Sequence, residues 1–141
     1  MKLLSYFFFY TYIGLVLIAG FWGAFLGAGI DQRVVLNLDI NALSETTRAN
    51  VLTQYRFLRA MELGYGLFAI GFRKEIFSVK KFNALFLIIM LAGVLARVVS
   101  LIDDGSPSWL FYFFMIYEGV GVIIIYLYTR EHVKKHKIIV Q

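Results

Sequence analysis

Four apolar stretches separated by short charged segments set the rhythm of this chain. Leu3 to Ile30 carries no charge and exceeds the roughly 20 residues a helix needs to cross a bilayer. Lys2 gives it a minimal basic start, but the run is about twice the length of a signal-peptide core, so it reads as a retained first helix. Gly20, Gly23, Ala24, Gly27 and Ala28 form a ridge of small residues in its second half. Such ridges admit a close helix neighbour, and internal packing explains this one more simply than a dimer face does. Ser44 before Glu45 has the form of a helix start, an N-cap hydroxyl followed by an acid in the first turn. The second helix then enters a membrane near Leu52 and runs to Phe72. Phe82 to Ile102 is the third run, interrupted by Asn83 and Arg97, and Asp103-Asp104-Gly105-Ser106-Pro107 turns the chain. Trp109 to Thr129 is the fourth, with Glu118 its sole charge. The spacing predicts a single membrane domain with spans at about 3–30, 52–72, 82–102 and 109–129, and a basic tail at 130–141.

The connecting charges predict an orientation. The first loop sets Asp31, Asp39 and Glu45 against Arg33 and Arg48, and the third holds Asp103 and Asp104. The second loop sets Arg73, Lys74, Lys80 and Lys81 against Glu75, and the tail sets Arg130, Lys134, Lys135 and Lys137 against Glu131. Four spans place every basic segment on one side, so both termini are expected in the cytoplasm. Tyr126 and Tyr128 then fall at the inner boundary, Trp109 and Tyr112 at the outer one.

Composition agrees. Of 141 residues, 60% are hydrophobic, 18% aromatic and 16% charged, with one proline; soluble domains carry about a quarter charged residues. Mean hydropathy is +0.75. The predicted fold is all-α, an integral membrane four-helix bundle. The net charge of +5 raises nucleic-acid binding, but the surplus sits in tails and loops beside apolar runs, where membrane orientation accounts for it. The absence of cysteine excludes disulfides, thiolate metal sites, iron–sulfur clusters and a Cys nucleophile.

The second run breaks the pattern. Arg56, Arg59 and Glu62 fall near its start, with Tyr55 sharing a helix face with Arg59 and Glu62. A charge within a bilayer costs roughly 2.5–3.5 kcal/mol on insertion scales, so it is normally paired and turned inward. At about 1.5 Å per residue, Glu62 and Glu118 come out near mid-membrane, and Arg56, Arg59 and Arg97 in the outer half. The expected arrangement sets Glu62 and Glu118 against Arg59 and Arg97, with Arg56 nearer the outer surface. Two roles compete for this cluster: a clasp that fixes helix register, or an outward-facing pocket for a small anion, an anionic headgroup or an amphipathic ligand.

Other chemistry finds little footing. His132 and His136 are spaced for one helix face, but they sit among lysines in the tail and read as solvated, so no metal is expected. No histidine falls in a span, which excludes a bis-histidine haem, and no cofactor is expected. Ser100, Ser106 and Ser108 have no neighbouring histidine base. Phe7-Phe8-Phe9-Tyr10 reads as lipid-facing or packing surface.

Three features together resemble a family of small bacterial four-helix membrane proteins catalogued as domain of unknown function 4345. They are Tyr55-Arg56-Phe57 opening the second helix, Ala92-Gly93-Val94-Leu95-Ala96-Arg97 followed by Ser100 and Asp104-Gly105-Ser106-Pro107, and Glu118 in the fourth. The resemblance covers nearly the whole chain and implies a four-helix fold in a bacterial inner membrane. It implies no activity. Arg59 departs from the small residues that follow the Arg-Phe pair in the family's pattern.

The leading expectation is a non-enzymatic membrane protein, an accessory or lipid-binding subunit, with membrane lipids and a membrane-protein partner or second copy as its company and no nucleic acid. The rivals are a small intramembrane enzyme acting on a lipid-like substrate, with Glu62 or Glu118 as acid/base, and a transporter subunit. Arginines beside those carboxylates oppose the raised pKa that acid/base work needs, which ranks the enzyme second.

Overall fold

Helix follows the uncharged runs, and the chain turns where glycine, proline or clustered charge interrupts them. The computed structural model describes residues 1–139, with side chains through Glu131 and at Val133; the side chains of His132 and His136 lie outside the described residues. The elements are α1 (Lys2–Phe21), a π-turn (Trp22–Leu26), α2 (Ala28–Val34), a 3-10 turn (Ile40–Ala42), α3 (Glu45–Gly71), α4 (Arg73–Ser78), α5 (Lys80–Asp103) and α6 (Trp109–Ile139). No strand occurs among the described residues.

Among the described residues, three stretches are long and apolar enough to cross a membrane: Lys2–Leu26, Lys80–Asp103 and Trp109–Glu131. α3, expected as a fourth span at 52–72, has the length at 27 residues but not the composition. Any 18-residue stretch of it includes Arg56, Arg59 and Glu62 together. Other expectations shift at their edges. The first run is not one helix, because it widens into the π-turn and restarts at Ala28, so helix continues past Asp31 into the segment read as loop. Arg73–Ser78, read as loop, is helical because Ile76 and Phe77 give it a buried side. The tail at 130–141 continues α6 as far as Ile139.

The chain divides into two compact units, one formed by Met1–Tyr12 with Gly71 onward, the other by Ile13–Ile70. In the central unit, α1 and α3 run antiparallel through close backbone approach. A Cβ on Gly20 would lie 2.8 Å from Leu63 N, and one on Gly66 would lie 2.7 Å from Leu17 Cδ2. Gly23 meets Arg59 in the same register. The small-residue ridge therefore serves internal packing. Ser44 caps α3, its Oγ accepting from the Thr47 amide at 3.3 Å.

In the terminal unit, aromatic rings join the first half of α1 to α4 and α6. Tyr6 stacks on Phe77 with centroids 4.3 Å apart, and Phe9 packs on Phe77 and Phe86 at 5.2 and 5.3 Å. Phe9 is buried while Phe7 is exposed, which splits the aromatic run by helix face. Tyr128, expected at the membrane boundary, is buried beside Tyr6 and Phe77. Polar groups in this core are satisfied locally. Asn83 Nδ2 donates to Ile76 O at 2.9 Å, Thr129 Oγ1 donates to Asn83 Oδ1 at 3.2 Å, and Ser5 Oγ donates to Ile124 O at 3.2 Å. Asn83 thus ties α4, α5 and α6 together.

Candidate functional site

The candidate residues gather in two groups, one in each unit. In the central unit, spacing along α3 does the first part of the assembly, since residues three and four apart share a face. Arg59 Nη1 donates to Glu62 Oε2 at 2.6 Å, and Arg59 Nε donates to the Tyr55 hydroxyl at 2.9 Å. The guanidinium also lies over the Tyr55 ring, 5.0 Å from its centroid. Tertiary structure then adds a residue that sequence reading left in the loop. The Tyr55 hydroxyl donates to Asp31 Oδ2 at 2.8 Å, and Trp22 Nε1 donates to Asp31 Oδ1 at 3.1 Å. The result is a continuous chain from Trp22 through Asp31, Tyr55 and Arg59 to Glu62. Arg56 stands outside it, donating from Nη1 to Ala24 O in the π-turn at 2.7 Å.

This group is balanced, with Asp31 and Glu62 offsetting Arg56 and Arg59. Each arginine donates to a protein acceptor, and the bonds of this group join α3 to the π-turn and α2. The signal for Asp31 was its position as the first charge after the first uncharged run, where an acid would need a partner.

In the terminal unit, Arg97 of α5 meets Glu118 of α6. Arg97 Nη1 donates to Glu118 Oε2 and lies 3.5 Å from Gly93 O. Gly93 lies beside this pair, where a Cβ would make ordinary contact at 3.6 Å from Glu118 Oε2 and 3.8 Å from Arg97 Nη1. The partners differ in burial, with side-chain exposures of 35% for Arg97 and 9% for Glu118. Arg97 also lines a cleft of about 200 Å³ with Ser100, Leu101, Pro107, Phe111, Tyr112 and Met115. Its walls are apolar apart from the guanidinium and two hydroxyls. At its rim, Ser100 Oγ donates to Asp104 Oδ2 at 2.8 Å, and the Ser106 and Tyr112 hydroxyls lie 2.8 Å apart. None of these lining residues except Arg97 was singled out in the sequence for its side chain's role in a site.

The arginine can do what a binding site needs. Its bonds to Glu118 and Gly93 both use Nη1, and a guanidinium carries five N–H donors. Among the described residues, no three His, Asp or Glu side chains come together as a metal site would require.

Fold and site together define a helical protein with, among the described residues, three helices able to cross a membrane by length and composition, and two Arg–Glu pairs. Residues 3–129 match the family described as a domain of unknown function, DUF4345, and the chain belongs to that family. No curated protein and no solved structure matches it.

Proposed function

We propose that this protein is a multi-pass membrane protein that binds an amphipathic ligand bearing an anionic group, without chemical turnover, in the α5–α6 cleft. One observation carries the reading: the Arg97 guanidinium lies on the wall of an otherwise apolar cleft of about 200 Å³. A ligand's apolar part finds Leu101, Phe111 and Met115 there, and its anion finds the unused donors of a cation already held in place. In this reading α3 is a fourth span. Its three charges are tolerable in a membrane because each has a partner within the central unit. Four spans put Lys2, Arg73, Lys74, Lys80, Lys81 and Arg130 on the cytoplasmic side, and the packing of Tyr6 on Phe77 and Tyr128 supports their sharing one end of the terminal unit. The cleft then opens outward, from the inner membrane of a bacterium.

The test is ligand-dependent thermal stability of the purified protein in detergent. Short-chain lysophospholipids and fatty acids should raise Tm with concentration, as any ligand selective for the folded state does. Met115→Trp, which fills the cleft, should abolish that rise while leaving the unliganded Tm within a few degrees. Equal protection of both proteins, or none of the wild type, overturns the reading. Asp103→Cys should react with an impermeant thiol reagent on intact cells; reaction after lysis alone overturns the orientation.

A further inference from the structure

We infer that the cleft ligand is a zwitterion, with its anion inward on Arg97 and an ammonium group at the mouth beside Asp104. The inference rests on the binding reading above and specifies the ligand's second charge. An anion alone is poorly matched to this cleft as a whole. Arg97 is the sole cation among the described residues lining it, and Glu118 already offsets that charge. Next to Ser100 on the cleft wall the sign is negative, because its hydroxyl holds the Asp104 carboxylate. Asp103 and Asp104 close α5, and they do so at the helix end whose own carbonyls carry partial negative charge. Helices usually place basic residues there, yet the last turn of α5 contains none. Two carboxylates at that end, uncompensated from within the helix, break a local electrostatic preference. Such breaks are expected where function requires them.

Position completes the argument. Arg97, Ser100, Leu101 and Asp104 follow one another at three- and four-residue spacing along one face of α5. About 10 Å of helix axis separates Arg97 from Asp104. Arg97 reaches back toward Gly93, so the two charges stay apart rather than pairing with each other. Ser100 fixes the Asp104 carboxylate through its 2.8 Å bond. The cleft that Arg97 lines is otherwise walled by apolar side chains, among them Leu101, Phe111 and Met115. The matching ligand has an anion and an ammonium joined by an apolar spacer. A soluble ω-amino acid has that form, whereas the two-carbon spacer of an ethanolamine headgroup is too short to reach both charges.

Matched probes test this by thermal shift: 8-aminooctanoate carries both charges, octanoate the anion alone, octylamine the cation alone. The zwitterion should protect at concentrations about tenfold lower than either single-charge analogue, a free-energy difference of about 1.4 kcal/mol. Asp104→Asn should bring octanoate level with 8-aminooctanoate, and Asp103→Asn should narrow the gap in the same direction. Asparagine keeps an acceptor for Ser100, so the fold should persist, and an unchanged unliganded Tm checks it. Octanoate equal to or better than the zwitterion in the wild type overturns this inference and leaves the binding reading standing. A preference that survives Asp104→Asn also overturns it. No protection by any probe or lipid overturns the binding reading itself.

Discussion

The side chain of Arg59 lies across Gly23, where an added Cβ would come within 2.6 Å of its Cγ and 2.9 Å of its Cδ. That closeness lets the guanidinium sit between Tyr55 and Glu62 while α1 and α3 stay in register. Gly23→Ala should therefore destabilise the protein by about 1–3 kcal/mol, the usual cost of overpacking. Gly14 has nothing within 4 Å of such a Cβ. Gly14→Ala should instead stabilise by roughly 0.5–1 kcal/mol, because it removes helix-interior glycine without a clash. Thermal unfolding in one detergent, followed by circular dichroism, compares the two; an unchanged or raised Tm for Gly23→Ala would contradict the packing assigned to Gly23.

Asp31 accepts from two side chains on different elements, Trp22 and Tyr55. Asp31→Asn should cost about 1–2 kcal/mol through weakened and mismatched hydrogen bonds. Tyr55→Phe should cost a similar amount, and the double variant should lose less than the sum of the two singles, since they share one network. Strict additivity would show that the network is not coupled.

The Arg97–Glu118 pair predicts an asymmetry. With Glu118 replaced by Gln, the partly exposed Arg97 can turn toward water, so the loss should stay near 1 kcal/mol. With Arg97 replaced by Gln, a carboxylate with 9% side-chain exposure loses its cation, and the loss should reach roughly 2–4 kcal/mol. Glu118→Gln in the Arg97→Gln background should recover part of it. Tm values for the three variants decide; a larger loss from Glu118→Gln reverses the assignment of which charge depends on the other.

Asn83 holds α4 through the Ile76 carbonyl. Asn83→Ala should leave that buried acceptor without its donor, cost about 1–3 kcal/mol, and loosen α4. Limited trypsin digestion should then cut faster at Arg73 and Lys74, with cleavage at Arg130 unchanged. Uniform acceleration at all three sites would indicate global destabilisation instead.

What the residue pattern disclosed was the local part of the structure. The long apolar runs became α1, α5 and α6, and Ser44-Glu45 marked the start of α3, because those features depend on neighbours a few residues away. The Arg59–Glu62 pair was legible for the same reason, lying one turn apart. Asp31 was not, because its partners arrive through the restart of helix after the π-turn, which no periodicity announces. α4 was hidden by its charges: Arg73, Lys74 and Glu75 read as loop, and Ile76 and Phe77 were too few to show a face. The cleft was illegible for another reason. Leu101, Phe111 and Met115 look like any lipid-facing residues until α5 and α6 leave a gap between them.

α6 has a further consequence. Its 31 residues make a rod of about 46 Å, whereas the hydrocarbon of a bilayer is about 30 Å thick. Phe111, Tyr112 and Met115 near one end belong to the cleft, and Thr129 near the other is bonded to Asn83. A stiff body held at two heights behaves as a lever. Pivoted near Thr129, a tilt at Phe111 would carry the segment from Arg130 to Ile139 the opposite way through a smaller arc, because its arm is about 15 Å against about 27 Å to Phe111.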